Sequence, residues 1–373
     1  MFGPSERLAR PIRFLFALPG FHQEDRGAEV ALLAVAEELA RTGDLVHVIG
    51  SGPPRRGTSY DYRQVKAVNR RKFELLPKFP PFRSETAWED ATFALNLLRL
   101  YPKQNFDITI TCNFPFTHWA LRRCESGRSL SLFVTQNGDW PAVSNEREYR
   151  FFSCDGLICT NPDYQNRNRD RWRTELIPNG IDPVRFVNVA PNRPMFGLPQ
   201  DRKVVLMVSA LIESKRVMEG MRAVAALSDA HLIVAGDGPM RKQIDELARE
   251  LLPGRFTRLV VPAENMPALY FSADAFLHMS AEESFGNVYV EAMAAGLPIV
   301  GQDSPRLRWI VGERDTLCDV ESEGEVVRVL TRALETGLGK PDERVANFAW
   351  STIAQRYHDF AHALLLERGH REA

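Results

Sequence analysis

Glu283-Ser-Phe-Gly-Asn-Val-Tyr-Val-Glu291 sets two carboxylates eight positions apart around a glycine turn, and the apolar run Ala292-Met-Ala-Ala295 and then Gly296-Leu-Pro298 follow at once. Asn287 is a suitable N-cap, nothing from Val288 to Ala295 breaks a helix, and Gly296 with Pro298 ends one. The pattern predicts a short helix beginning near Asn287, with Glu291 about one turn inside it. Glu283 and the Phe285-Gly286 turn then lie just outside the helix start, where free backbone N–H groups and the positive end of the dipole favour a phosphate. A phosphate held there sits between two acids. A solvated amphipathic helix is the plainer alternative, because glutamate is common on surfaces.

Outward from this segment, short apolar runs alternate with helical patterns. Residues 203–209, 230–235, 256–261, 275–278 and 298–300 read as strands, with helices at 218–227 and 240–251. The first half shows the same alternation: strands at 13–18, 46–49, 106–111, 129–135 and 156–160, and a helix at 28–41. Alternating strand and helix predicts parallel sheets covered on both faces, hence two doubly wound α/β domains. Between the halves, Ile177-Pro-Asn-Gly-Ile-Asp-Pro-Val-Arg-Phe186 and the Pro-rich 190–199 read as a linker. The expected domains are 1–188, 189–350 and a terminal helix at 351–373, whose stripe is Ile353, Tyr357, Phe360, Ala361 and Leu364.

Three further loops follow predicted strands and so reach the ligand edge of an open α/β sheet. Val208-Ser-Ala-Leu-Ile-Glu-Ser-Lys215-Arg216 delivers two cations. A cation fixed beside a departing diphosphate stabilises the transition state more than the ground state, because the charge there grows as the bond breaks. Pro19-Gly-Phe-His-Gln-Glu-Asp-Arg-Gly27-Ala-Glu29 brings a glycine to a helix start, which lets backbone approach a phosphate or an acceptor. Val134-Thr-Gln-Asn137-Gly-Asp-Trp140 offers an amide that hydrogen-bonds but does not titrate, and an indole that is either a wall for a sugar ring or core.

The paired glutamates resemble the glutamate–seven residues–glutamate motif of retaining glycosyltransferases with the GT-B fold, in particular family 4. Val234-Ala-Gly-Asp-Gly-Pro239 and Leu269-Tyr-Phe-Ser-Ala-Asp-Ala-Phe276 extend the resemblance, which covers residues 12–360 and is densest over 177–303. It implies two Rossmann-like domains facing a central cleft, with a C-terminal helix crossing back to the N-terminal domain and closure at a hinge near Asn179-Gly180 that excludes water. It also implies a nucleotide-sugar ligand whose hydroxyls flank the diphosphate, with Glu283 at the transferred sugar and Glu291 at the ribose. Glu283, Lys215 and Asn137 become the catalytic candidates; Glu291, Arg216, Phe285, Gly286, Asn287 and Gly27 become donor-binding ones. The implied reaction moves a hexose-type sugar, with retention, from a nucleoside-diphosphate-sugar (UDP-sugar favoured) to the hydroxyl of a glycan, glycolipid or small metabolite. No cofactor beyond the donor is expected.

The chain departs from the family at three positions. Ser209-Ala210 stands where Gly-Arg is usual, with Arg216 the candidate replacement for the arginine; Arg26 replaces a glycine, and Asn137 a common histidine. A nucleotide-sugar epimerase of the same fold, or a degenerate binding protein without activity, are the alternatives. Asn137 argues against the epimerase, which needs titratable groups at the sugar.

Composition excludes other classes. At 373 residues with 44% hydrophobic and 25% charged residues, the chain suits two soluble globular domains. A net charge of −1 gives no sign of nucleic acid. Residues 1–188 carry +4 and 189–373 carry −5. A basic first half admits an anionic acceptor or peripheral contact with the inner face of a membrane, although +4 over 188 residues is within ordinary scatter. Five cysteines without metal-ligand spacing suit a reducing compartment, the cytoplasm, and the polar 1–13 has no signal-like apolar run. There is no Asp-x-Asp, so no metal is expected; His358 and His362, four apart on the last helix, lack a third ligand.

Overall fold

Buried runs such as Phe14-Leu-Phe-Ala17 and Val204-Val-Leu-Met207 have no polar alternation, because strands of a parallel sheet are covered on both faces. The computed structural model describes residues 10–101, 105–125, 128–314 and 316–372; most of the polar 1–13 lies outside them. Two compact units are present: Met1–Gly180 with Trp350–Ala373, and Ile181–Ala349.

The first unit begins with β1 (Arg13–Ala17), α1 (Gly27–Arg41), β2 (Leu45–Gly50), β3 (Asp61–Gln64) and α2 (Glu85–Leu100). It continues with β4 (Ile108–Cys112), α3 (Pro115–Cys124), β5 (Leu130–Val134), β6 (Gly156–Cys159), α4 (Pro162–Asn168) and β7 (Thr174–Leu176). Its sheet runs β3-β2-β1-β4-β5-β6-β7, parallel throughout. The second unit contains β8 (Lys203–Val208), α5 (Val217–Ala225), β9 (Ala230–Ala235), α6 (Arg241–Leu251), β10 (Phe256–Leu259) and α7 (Met266–Phe271). After these come β11 (Ala275–Leu277), α8 (Asn287–Ala294), β12 (Ile299–Gln302), α9 (Pro305–Val311), β13 (Leu317–Cys318) and α10 (Glu323–Thr336). This sheet runs β10-β9-β8-β11-β12-β13, again all parallel.

Both orders reverse direction once, between β1 and β4 in the first sheet and between β8 and β11 in the second. At such a switch point the two crossovers leave on opposite faces, so a crevice opens beyond the strand C-termini.

The last helix, α11 (Trp350–Glu372), belongs to the first unit. Ile353, Tyr357, Phe360, Ala361 and Leu364 are buried in one cluster with Phe14, Phe16, Leu132 and Ile158. The helix lies so close to β6 that a Cβ on Gly156 meets Leu364 Cδ1 at 2.8 Å and Phe360 Cε1 at 2.9 Å. The boundary expected at 188 falls earlier, after Gly180. The reason is local: the Ile181 N–H donates to Phe348 O at 2.8 Å, and Phe186 packs against Tyr270 with ring centroids 6.1 Å apart.

Candidate active site

The second switch point gathers the charged candidates of the second unit. Lys215 follows β8, whereas His278 and Glu283 follow β11, and β8 and β11 are neighbours. The loop carrying Lys215 is fastened from below by the turn after β9. A Cβ on Gly236 meets Ser209 O at 1.8 Å and one on Gly238 meets Leu211 O at 2.6 Å, so the two backbones touch. Leu211 N–H donates to Asp237 O at 3.0 Å, and Met240 N–H to Leu211 O at 3.1 Å.

Lys215 Nζ pairs with Glu283 Oε1, and His278 Nε2 lies 2.7 Å from the same oxygen. Burial disfavours the charged carboxylate here, but the His278 hydrogen bond and charge, then those of Lys215, outweigh it and hold Glu283 at about 2. Glu283 is therefore ionised throughout the physiological range. Its Oε2 has no partner among the described residues and is free to accept hydroxyl groups. Arg306, at the start of α9, reaches the Glu283 backbone oxygen.

Arg216 does not join this group. Its Nη2 lies 3.4 Å from Val320 O and its Nη1 3.8 Å from Glu321 Oε1, so it braces the loop after β13 instead of replacing the arginine missing at Ala210. The cause is its left-handed backbone, φ +52°, at the start of α5.

Gly286 shapes the start of α8. Its φ is +88°, and a Cβ would stand 2.7 Å from Tyr289 Cδ2, so both backbone and space require glycine. Gly286 is the N-cap and Asn287 the first helical residue, with no side-chain cap, which corrects the cap expected at Asn287. The Tyr289 N–H donates to Gly286 O at 3.0 Å, while the N–H groups of Asn287 and Val288 have no intrahelical acceptor. The Phe285 ring is buried against Phe348 and Trp309, at 5.7 and 6.3 Å, so only its backbone is available to a ligand.

Glu291 is half-buried on α8 and accepts from Tyr270 Oη at 2.7 Å through Oε2. Burial raises its pKa, opposed by that hydrogen bond and by Arg185.

Gly27 and Asn137 lie in the first unit, where they line a cavity of about 440 Å³ together with Arg26, Asn113, Phe114 and Trp140. The cavity occupies the first switch point, since these residues follow β1, β4 and β5. Asn137 Nδ2 donates to Asn113 Oδ1 at 2.9 Å, and Trp140 packs edge-on against Tyr149 at 4.6 Å. Arg26 Nε and Nη2 are buried without a hydrogen bond among the described residues, with Glu24 and Glu29 at 3.7 and 3.8 Å. Nothing of the protein stands within 4 Å of a Cβ on Gly27, which faces open space, whereas one on Gly20 meets Glu29 Oε1 at 2.1 Å.

His278, Arg306 and Tyr270 escaped the sequence reading. His278 carried a usable signal, a titratable residue closing a predicted buried strand. Tyr270 and Arg306 carried none, because each reaches the site only through packing. Among the described residues no group of three or more His, Cys, Asp or Glu is placed to hold a metal, and His358 bonds Asp44 Oδ2 at 2.8 Å.

A family model of glycosyltransferase family 4 matches residues 26–185, and one of glycosyl transferases group 1 matches 189–349. The chain is 23% identical to N-acetyl-alpha-D-glucosaminyl L-malate synthase of Bacillus anthracis over 90% of both proteins. It is 28% identical to the lipopolysaccharide core biosynthesis glycosyltransferase LpsE of Rhizobium meliloti, there spanning about half of each chain, 51% and 56%. The Anabaena protein HepE, solved in complex with UDP-glucose, superposes with a TM-score of 0.70 at 17% identity over 94% of this chain and 99% of that one, a likeness of fold. With both matched segments lying on Rossmann-like sheets and the paired glutamates at the second switch point, the chain belongs to the group 1, family 4 glycosyltransferases of the GT-B fold.

Proposed function

We propose that the protein transfers a hexose-type sugar, with retention of configuration, from a nucleoside-diphosphate-sugar to a hydroxyl acceptor, UDP-sugars being the favoured donors. The observation that carries this reading is the convergence of Lys215 and His278 on one oxygen of Glu283 beside the Gly286 helix start. In this reading the diphosphate binds at the first turn of α8 and draws Lys215, which offsets the charge that grows on the leaving group. Glu283 Oε2 accepts hydroxyl groups of the transferred sugar, with His278 holding the carboxylate in place. Glu291 takes the ribose through its remaining oxygen.

The bond between the anomeric carbon and the diphosphate oxygen breaks, and a bond from the acceptor oxygen forms on the same face. The acceptor proton passes to the departing phosphate. Asn137 is proposed to position the acceptor hydroxyl, because its amide orients but does not titrate. Neither a metal nor a further cofactor is needed in this scheme, and the reaction is proposed to run in the cytoplasm. The UDP-glucose in the HepE structure supports the choice of donor, and the names of the two relatives point to a small hydroxy acid or a glycan as acceptor.

Incubation with a panel of nucleotide-sugars tests the reading through slow donor hydrolysis. Free sugar and nucleoside diphosphate are expected from at least one donor. A new epimer, or no turnover with any donor, overturns it.

A further inference from the structure

Residues 66–83 of the first unit carry six cations, Lys66, Arg70, Arg71, Lys72, Lys78 and Arg83, against the single acid Glu74. Their net +5 exceeds the +4 of residues 1–188 as a whole, so the positive excess is gathered in this stretch rather than scattered. The same stretch exposes its apolar side chains: Leu75 is 99% exposed, Phe79 45% and Leu76 41%. Isolated exposed leucines are ordinary, but an apolar tip flanked by cations has the make-up of a docking surface.

The tip is held outward by its base. Phe82 stacks on Trp88 at 3.9 Å and on Phe116 at 5.3 Å, Arg83 pairs with Glu148 at 2.6 Å, and Tyr149 Oη donates to Pro81 O at 3.3 Å. Beyond that base every residue from Glu74 to Pro80 is exposed. The surface continues onto α2. Val68 N–H donates to Thr92 Oγ1 at 3.0 Å and Asn96 Nδ2 to Lys66 O at 2.9 Å, which places the exposed Leu95 and Arg99 alongside Lys66. Lys66, Arg71, Lys72 and Lys78 are exposed and form no ion pair among the described residues.

We propose that this face docks the protein on an anionic lipid bilayer, with Leu75, Leu76 and Phe79 entering the acyl boundary and Lys66, Arg71, Lys72 and Lys78 meeting headgroup phosphates. Charge complementarity selects the occupant: a soluble anion uses the cations and leaves the leucines in water, whereas an anionic bilayer engages both. Among the described residues no helix is long and apolar enough to span a membrane, so the contact is interfacial. It does not depend on the transferase reading.

Cosedimentation of the full chain with vesicles of phosphatidylcholine, and of phosphatidylcholine mixed with phosphatidylglycerol in equal parts, is the test. Binding to the mixed vesicles alone, weakening as salt rises, is expected. Arg71→Gln with Lys72→Gln should reduce the affinity about tenfold or more. Leu75→Ser with Phe79→Ser should reduce it comparably, and thermal unfolding should show all four substitutions folded. No sedimentation with either vesicle, equal sedimentation with both, or binding untouched by both variants overturns the proposal. Self-association abolished by Leu75→Ser, without lipid binding, assigns the face to a second copy of the chain and overturns it equally.

Discussion

Lys215 and His278 meet on the same carboxylate oxygen, Oε1 of Glu283, although they follow different strands of the second sheet. This leaves Oε2 open and the carboxylate ionised throughout the physiological pH range. Glu283→Ala should therefore lower kcat on the order of 10²–10³-fold, the usual loss of one preorganised polar group, with nucleotide affinity changed only about threefold. Steady-state kinetics alongside calorimetric titration of the nucleoside diphosphate separate the two effects. A variant that turns over like wild type removes Glu283 from the reaction.

Glu291 predicts the opposite split. Tyr270→Phe takes the one hydrogen-bond donor from a half-buried carboxylate, a net loss of about 0.5–1.5 kcal/mol, so nucleotide Kd should rise roughly 2–10-fold with kcat near its original value. Glu291→Ala should raise Kd further. If titration finds unchanged Kd in both, Glu291 does not touch the nucleotide.

Gly286 and Gly27 were indistinguishable as helix-start glycines in sequence, but the structure separates them. Gly286→Ala forces a side chain to φ +88° and against Tyr289, and should destabilise the protein by about 1–3 kcal/mol and weaken donor binding. Gly27→Ala meets nothing within 4 Å and should leave the melting temperature within about a degree. Equal melting temperatures for the two variants contradict this account of the turn.

The His358–Asp44 pair supplies a pH signature. Its hydrogen bond to Asp44 raises the His358 pKa, against the effect of burial. Such a group contributes stability in full below the unfolded value of about 6.5, and loses it as pH rises through the higher folded value. Wild type should therefore exceed His358→Gln in Tm by about 1–3 °C at pH 5.5, and the gap should close by pH 8.5. A gap that widens with pH has the wrong sign for this pair.

The alternation of apolar runs with helical periods exposed both sheets, because strands covered on both faces are mostly apolar, with few polar residues such as Thr109, Thr111 and His231 among them. What escaped were the edges: β3 (DYRQ) is polar, and β7 and β13 are three and two residues long. Helix α2 also went unread, since its neighbours up to Phe82 held no strand to frame it. At the site, the spacing from Glu283 to Glu291 was legible because both lie within one turn-and-helix unit. The direction of Arg216, toward the loop after β13, goes with a left-handed φ that arginine rarely adopts and that no local pattern announces. Lys215 converges on Glu283 only through the pairing of β8 with β11.

The burial of α11 in the first unit governs the order in which the protein can be completed as it is synthesised. Residues 181–349 form one continuous stretch and can close their core before α11 has left the ribosome. Residues 1–180 emerge first but finish later, because Phe14, Phe16 and Ile158 gain part of their cover from Tyr357, Phe360 and Leu364, which are made after the whole of the second unit. Until then the older half carries an open apolar face, and it, rather than the younger half, is the one exposed to aggregation while the chain grows.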